Sequence, residues 1–154
     1  MERKSALAIL LALIMTAISF GITTSTASAA VVTTPLDNYG SPGCLDASDN
    51  GASIYMHPCN GGANQKWIWN NQPGVKTPIS HAKSDLCLQV SGNSVRLAPC
   101  NPSALGQRWI LEPYPGVPFI KMAYGNGYCL RDTNGSLPLV TCKSGDGFQR
   151  WFAQ

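Results

Sequence analysis

The triplet Gln-(Lys/Arg)-Trp occurs three times in this chain, at Gln65-Lys66-Trp67, Gln107-Arg108-Trp109 and Gln149-Arg150-Trp151, with a spacing of 42 residues at both steps. The cysteines keep nearly the same beat: Cys44, Cys87 and Cys129 step by 43 and 42, and Cys59, Cys100 and Cys142 by 41 and 42. A phase held over three copies requires three related units, each too short to bury a core alone, which must therefore fold against one another. It also supplies a sorting rule. A residue that the fold needs recurs in every unit, whereas one that serves a binding site need not.

The repeat does not reach the start of the chain. Met1-Glu2-Arg3-Lys4 carries two cations, Ala6 to Ile22 is largely apolar and uncharged, and Thr23 to Ala30 is small and polar with Ala27-Ser28-Ala29 near its end. That layout predicts a secretory signal peptide over residues 1–29, with cleavage after Ala29 and export of the rest. A membrane anchor is the competing reading, but the apolar run is about 17 residues, the lower limit for a span, and Thr16, Ser19 and Gly21 dilute it. The repeating domain then occupies residues 31–154. Without the leader it holds nine cations and seven anions, net +2, and no basic run. So small and scattered an excess gives no reason to expect nucleic acid as a partner, and no further stretch approaches membrane length.

All six cysteines lie in the exported part, where an even count in a small domain predicts disulfides. Six cysteines allow 15 pairings. Each unit holds one pair, so the repeat favours Cys44–Cys59, Cys87–Cys100 and Cys129–Cys142, each closing a short loop for about 3 kcal/mol in the chain-entropy model. Metal binding is the competing use of cysteine. The chain has no C-x-x-C pair, and its two histidines, His57 and His81, sit at unrelated spacings, so neither a metal nor another cofactor is expected.

Turn residues mark the joins between units, at Gln72-Pro73-Gly74 and Tyr114-Pro115-Gly116-Val117-Pro118, giving units of about residues 31–73, 74–115 and 116–154. Ser94-Val95-Arg96-Leu97-Ala98 alternates apolar and polar residues, and Ser53-Ile54-Tyr55-Met56-His57 does so less cleanly; both predict short strands. No segment sustains a helical period. With 15 Gly and 11 Pro in the chain, the expectation is an all-β domain. Three units of some four strands each point to a closed threefold barrel, the β-trefoil, over a three-bladed propeller, since propellers have four or more blades.

These residues resemble the ricin B-type lectin family. The match is carried by Cys44-Leu45-Asp46, Ile54-Tyr55-Met56-His57-Pro58-Cys59 and Gly61-Gly62-Ala63-Asn64-Gln65-Lys66-Trp67, and the frame repeats from Cys87-Leu88 to Trp109 and from Cys129-Leu130 to Trp151. The resemblance implies a β-trefoil that binds carbohydrate, with one potential sugar pocket per unit. It places the pocket of the first unit at Asp46, His57 and Asn64, with Gln65 as support and Tyr55 at the wall.

Recurrence divides frame from site. Trp67, Trp109 and Trp151 recur and are expected in the core, and Gln65, Gln107 and Gln149 recur with amides able to satisfy backbone groups. The pocket slots do not recur. They hold Asp46, His57 and Asn64 in the first unit, Gln89, Ala98 and Gly106 in the second, and Arg131, Val140 and Phe148 in the third. Only the first set suits a sugar. A carboxylate accepts from two adjacent hydroxyls, an amide both donates and accepts, and a flat ring packs on the apolar face of a pyranose. Asp132 is one residue late for its slot, so on a strand it faces the other way.

One working pocket is therefore expected. For Asp46 the competing reading is a turn residue in the loop Asp46 to Gly51. Catalysis is not expected, because the few acids form no evident pair and no Ser or Cys motif accompanies His81 and Asp85. A trefoil used as a protein-binding or protease-inhibitor surface is the alternative to sugar binding.

Overall fold

The computed structural model describes residues 31–70, 72–112, 119–122 and 127–153. The proposed leader and the second join lie outside them. Within these residues the chain forms fourteen strands of two to six residues and three single 3-10 turns. The alternating segments form strands Ile54–His57 and Ser94–Pro99.

Each unit has the same skeleton. A strand carrying Cys-Leu pairs with a second strand: Cys44–Ala47 with Ile54–His57, Leu86–Ser91 with Ser94–Pro99, and Tyr128–Leu130 with Leu139–Thr141. A 3-10 turn follows, ending on the recurrent glutamine, and leads into a strand that starts at the recurrent tryptophan. That strand pairs antiparallel with the strand just before the Cys-Leu strand of the next unit: Trp67–Asn70 with Ser80–His81, and Trp109–Glu112 with Phe119–Met122. The third returns to the first unit, Trp151–Ala153 pairing with Leu36–Asn38, which closes the ring. The fold is the expected β-trefoil.

The core follows the same threefold rule. Leu36, Ile79 and Ile120, then Leu45, Leu88 and Leu130, then Trp67, Trp109 and Trp151 are all buried. Each indole N–H donates to the carbonyl of the leucine after its unit's first cysteine: Trp67 to Leu45 at 2.8 Å, Trp109 to Leu88 at 2.9 Å and Trp151 to Leu130 at 2.9 Å. A buried indole thus combines a large apolar area with a satisfied polar tip.

The glutamines hold the loop after the second cysteine. Gln65 Oε1 accepts from the Asn60 N–H at 2.8 Å while Nε2 donates to the Pro58 carbonyl at 3.0 Å. Gln107 does the same with Asn101 and Pro99, and Gln149 with Lys143 and Thr141. The three disulfides are those that the repeat favours: Cys44–Cys59, Cys87–Cys100 and Cys129–Cys142.

Trp109 stands in the unit whose pocket slots hold Gln89, Ala98 and Gly106, so its role can be tested apart from the slots of the first unit. Trp109→Ala should leave a large cavity and cost about 3–5 kcal/mol of stability. Denaturant unfolding of the variant checks this, and stability within 1 kcal/mol of wild type, on the order of an exposed substitution, contradicts the core assignment.

Candidate functional site

The site grows from one strand pair. Cys44–Ala47 and Ile54–His57 run antiparallel in the register Leu45 opposite Met56 and Asp46 opposite Tyr55. Leu45 is in the core, so Asp46 projects to the other face with its direct partner Tyr55. His57, two residues beyond Tyr55, shares that face. The chain then passes the Cys59 disulfide and turns at Gly61, whose φ of +68° favours glycine. The 3-10 turn Ala63–Gln65 brings Asn64 back over the same face.

Together these residues line a cleft of about 330 Å³, whose wall comprises Asp46, Tyr55, His57 and Asn64, joined by Asp49, Asn60, Gly62, Ala63 and Lys83. This is the small end of ligand pockets, which run from about 300 to 1,000 Å³. Gln65 does not line it. It is buried directly behind, both ends of its amide engaged with backbone. Sequence reasoning missed Asp49 as a wall residue and did not raise Lys83, which comes from the second unit. No spacing within one repeat points to them.

The donors and acceptors of this wall are unevenly used. Asp46 is 4% exposed, and its Oδ1 has no hydrogen-bond partner among the described residues. An unpaired buried carboxylate oxygen is costly, and Asp46 is a residue of the cleft lining. Burial first, then the charge of Asp46 and the hydrogen bond to it, raise the Tyr55 phenol above its ordinary 10, so it remains a donor. Asp49 accepts from Lys83 Nζ at 2.6 Å and from Asn64 Nδ2 at 2.9 Å, and these bonds hold its carboxyl below the usual 3.8. His57 Nδ1 lies 3.0 Å from the Pro58 carbonyl. A carbonyl only accepts, so Nδ1 carries the proton, and in the neutral ring Nε2 is left as an acceptor.

Volume does not single this cleft out. One of about 330 Å³ is lined by Lys76, Pro78, the Cys87–Cys100 disulfide and Arg108, and one of about 420 Å³ lies in the third unit. The donor set distinguishes them. In the second unit the slot residue is the neutral Gln89, whose amide oxygen accepts from Gln107 Nε2 at 2.8 Å. In the third, Arg131 is paired with Asp146 at 2.8 Å and lies 5.1 Å over the Phe148 ring. Asp132 is buried and occupied by Ser41 Oγ and the Gly135 N–H. Among the described residues, Asp37, Cys44 and Cys59 form the one grouping of potential metal-ligand atoms within 4.8 Å of each other. Both sulfurs are in a disulfide, so they supply no thiolate.

Behind the cleft, His81 is fully buried against Trp67, with ring centroids 5.2 Å apart, and its Nδ1 meets Ser84 Oγ at 2.9 Å. Burial, chiefly, holds its pKa below 6.5, and the Lys83 charge adds to this, while the Asn64 and Ala63 backbone and the Asp46 charge act the other way. The folded chain therefore binds fewer protons than the unfolded one below pH 6.5. Stability should fall as pH drops through that value toward the depressed pKa, and be fully present above it. Asn38 holds the equivalent position, opposite Trp151 as His81 is opposite Trp67. Melting of His81→Asn across this range should lack that slope, and a slope equal to that of wild type removes His81 as its source.

The comparisons with known proteins agree with this architecture. Residues 32–109 match the family model described as a ricin-type beta-trefoil lectin domain. No curated protein sequence matches the chain. Among solved structures, the chain resembles the GlcNAcα1-4Gal-releasing endo-β-galactosidase from Clostridium perfringens, with a TM-score of 0.69 and 12% identity over 78% of this chain and 31% of that one. It resembles hemolytic lectin CEL-III, with a TM-score of 0.64 and 22% identity over 77% and 29%. A non-toxic homologue of type II RIPs from Momordica charantia, in complex with α-methyl-D-galactoside, gives a TM-score of 0.66 and 17% identity over 80% and 48%. The chain thus spans less than half the length of each of these structures, and at such identities the likeness establishes the fold.

Proposed function

We propose that this chain, which belongs to the ricin-type β-trefoil lectin family, binds an uncharged glycan through one main cleft, that of its first repeat. The observation that carries this reading is the polar set gathered on one cleft wall, Asp46, Tyr55, His57 and Asn64, in which the Asp46 carboxylate keeps one oxygen without a partner among the described residues. A neutral ligand rich in hydroxyls satisfies such an oxygen without bringing a second charge into the cleft. Adjacent hydroxyls meet complementary groups: the Asp46 carboxylate accepts, the Asn64 amide donates, the Tyr55 phenol, its proton given to Asp46, accepts at its oxygen, and the His57 ring offers a flat surface to the apolar side of a pyranose. Gln65 supports the wall from behind through the loop it fixes. A galactose-type sugar or a plant-polysaccharide sugar fits this chemistry.

The reading is one of binding rather than catalysis. The second acid of the cleft, Asp49, is already committed to Lys83 and Asn64, which leaves Asp46 without a free carboxylic partner for acid–base work. Three disulfides suit an oxidising compartment, and among the described residues no helix is long and apolar enough to cross a membrane. The disulfides support export, with residues 1–29 as the leader that directs it.

A small open cleft with one ring and few hydrogen bonds should give a monomeric Kd of about 0.1–1 mM, or about −4 to −5.5 kcal/mol, at one site per chain and without metal. Asp46→Ala should lose about 1.5–3 kcal/mol of that affinity, the scale of a charged hydrogen bond, with melting unchanged or raised, because the unpaired oxygen leaves with the side chain. A glycan array followed by titration of the best sugar tests this. Three equal sites, a requirement for calcium or undiminished binding by Asp46→Ala would each overturn it. A blank array alongside capture of a protein would favour the protein-binding alternative.

A further inference from the structure

Lys83 belongs to the second repeat, yet its ammonium reaches the cleft of the first. The turn that carries it is fixed at both ends. The Ala82 N–H donates to the Lys66 carbonyl at 2.9 Å, and the Asp85 N–H to the His81 carbonyl at 2.9 Å. Ser84 is held by the buried His81 ring. From this turn Lys83 Nζ donates to Asp49 Oδ1 at 2.6 Å and to Asn64 Oδ1 at 3.2 Å, while Asn64 Nδ2 donates to the same Asp49 oxygen at 2.9 Å.

The chemistry of this triangle fixes the Asn64 amide. An ammonium only donates and a carboxylate only accepts, so the amide carbonyl must face Lys83 and its nitrogen must face Asp49. Turned over, it would set N–H against N–H and oxygen against oxygen. One N–H and one carbonyl lone pair of Asn64 then remain. Donation from Lys83 into Oδ1 also polarises the amide, which makes the remaining N–H a stronger donor. The ion pair itself is open to solvent, with Lys83 and Asp49 side chains 41% and 79% exposed. Such pairs contribute little to folding. Nor is the triangle part of the repeated frame, since the third repeat has Phe148 and the second Gly106 in place of Asn64.

We propose that Lys83 is a positioning residue for the first-repeat site, holding the Asn64 amide with its free N–H presented to a sugar hydroxyl. The site is then one between repeats, built by the second as well as the first. The inference rests on the sugar-binding reading of the cleft and deepens it. It carries an unusual consequence: affinity for an uncharged sugar should depend on salt, because salt screens the exposed pair that orients the amide.

The test uses the full domain with Lys83→Met, Lys83→Arg and, as a control, Asp46→Ala. Methyl glycosides of galactose, N-acetylgalactosamine and xylose are the probes, titrated at about 0.01 M and about 1 M salt, where the screening length falls about tenfold. Lys83→Met should weaken binding by about 3–10-fold, the worth of one hydrogen bond, without moving the melting temperature. Lys83→Arg should recover most of it. Wild-type affinity should fall with salt and that of Lys83→Met should not. In the free protein, nitrogen-15 NMR should show the Asn64 side-chain amide shifted in Lys83→Met and restored in Lys83→Arg.

If Asp46→Ala loses binding while Lys83→Met binds as wild type, the positioning role is overturned and the sugar site stands. If no probe binds, or Asp46→Ala binds normally, the sugar reading fails and takes this inference with it. An Asn64 amide signal indifferent to Lys83→Met overturns the orientation argument with or without a sugar.

Discussion

Each recurrent indole gives its N–H to the backbone carbonyl of the leucine beside its unit's first cysteine. This bond ties the last strand of a unit to the strand that carries its Cys-Leu pair. Without the carbonyl, each buried indole would hold an unpaired donor at a cost of about 1–3 kcal/mol. Without the indole, three leucine–tryptophan layers would lose their filling. The disulfide at the adjacent cysteine then limits how far the leucine strand can move. Bond, layer and bridge repeat three times because no single unit can enclose its own core.

That economy explains why the wall residues of the candidate cleft need not recur from unit to unit. The frame is carried by residues facing inward: Leu45 and Trp67, with Gln65 bracing the backbone behind them. Strand alternation places Asp46, Tyr55 and His57 on the opposite face, where substitution leaves the frame intact. In the equivalent places Gln89 has turned to bond the frame glutamine Gln107, and Arg131 has paired with Asp146 and covered Phe148. Polar groups there have found partners within the protein. Asp46 Oδ1 has not.

Much of the fold was legible in the sequence, since tryptophan, cysteine and glutamine in phase define the units, the disulfides and the barrel. The parts that were not legible are short. Lys76–Thr77 and Ser80–His81 are two-residue strands, too brief to show alternation, and the three-residue 3-10 turns show no period. Val31–Thr34 pairs with Trp67–Asn70 through backbone bonds that its residue types do not announce. For the cleft, Asp46, His57 and Asn64 were proposed from the family resemblance and from slots that do not recur, and Tyr55 from the same resemblance. Asp49 looked like any loop acid. Lys83 was invisible, because its place depends on the Ala82–Lys66 backbone bond between repeats and on no pattern within either one.

The position of the site beside a disulfide has an energetic sense. Leaving a buried carboxylate oxygen unpaired costs about 1–3 kcal/mol, and that cost falls on the strand pair that also carries Cys44. Closing the 15-residue separation between Cys44 and Cys59 contributes about 3 kcal/mol by restricting the unfolded chain. The two are of similar size and opposite sign, and they act on the same hairpin. The strand pair can therefore hold an acid poised for a ligand while staying in register, and Tyr55 and His57 keep the face that the register assigns them. A preorganised acceptor is what a shallow cleft needs. With few contacts available, little of the binding energy of the proposed ligand can be spent on ordering the wall.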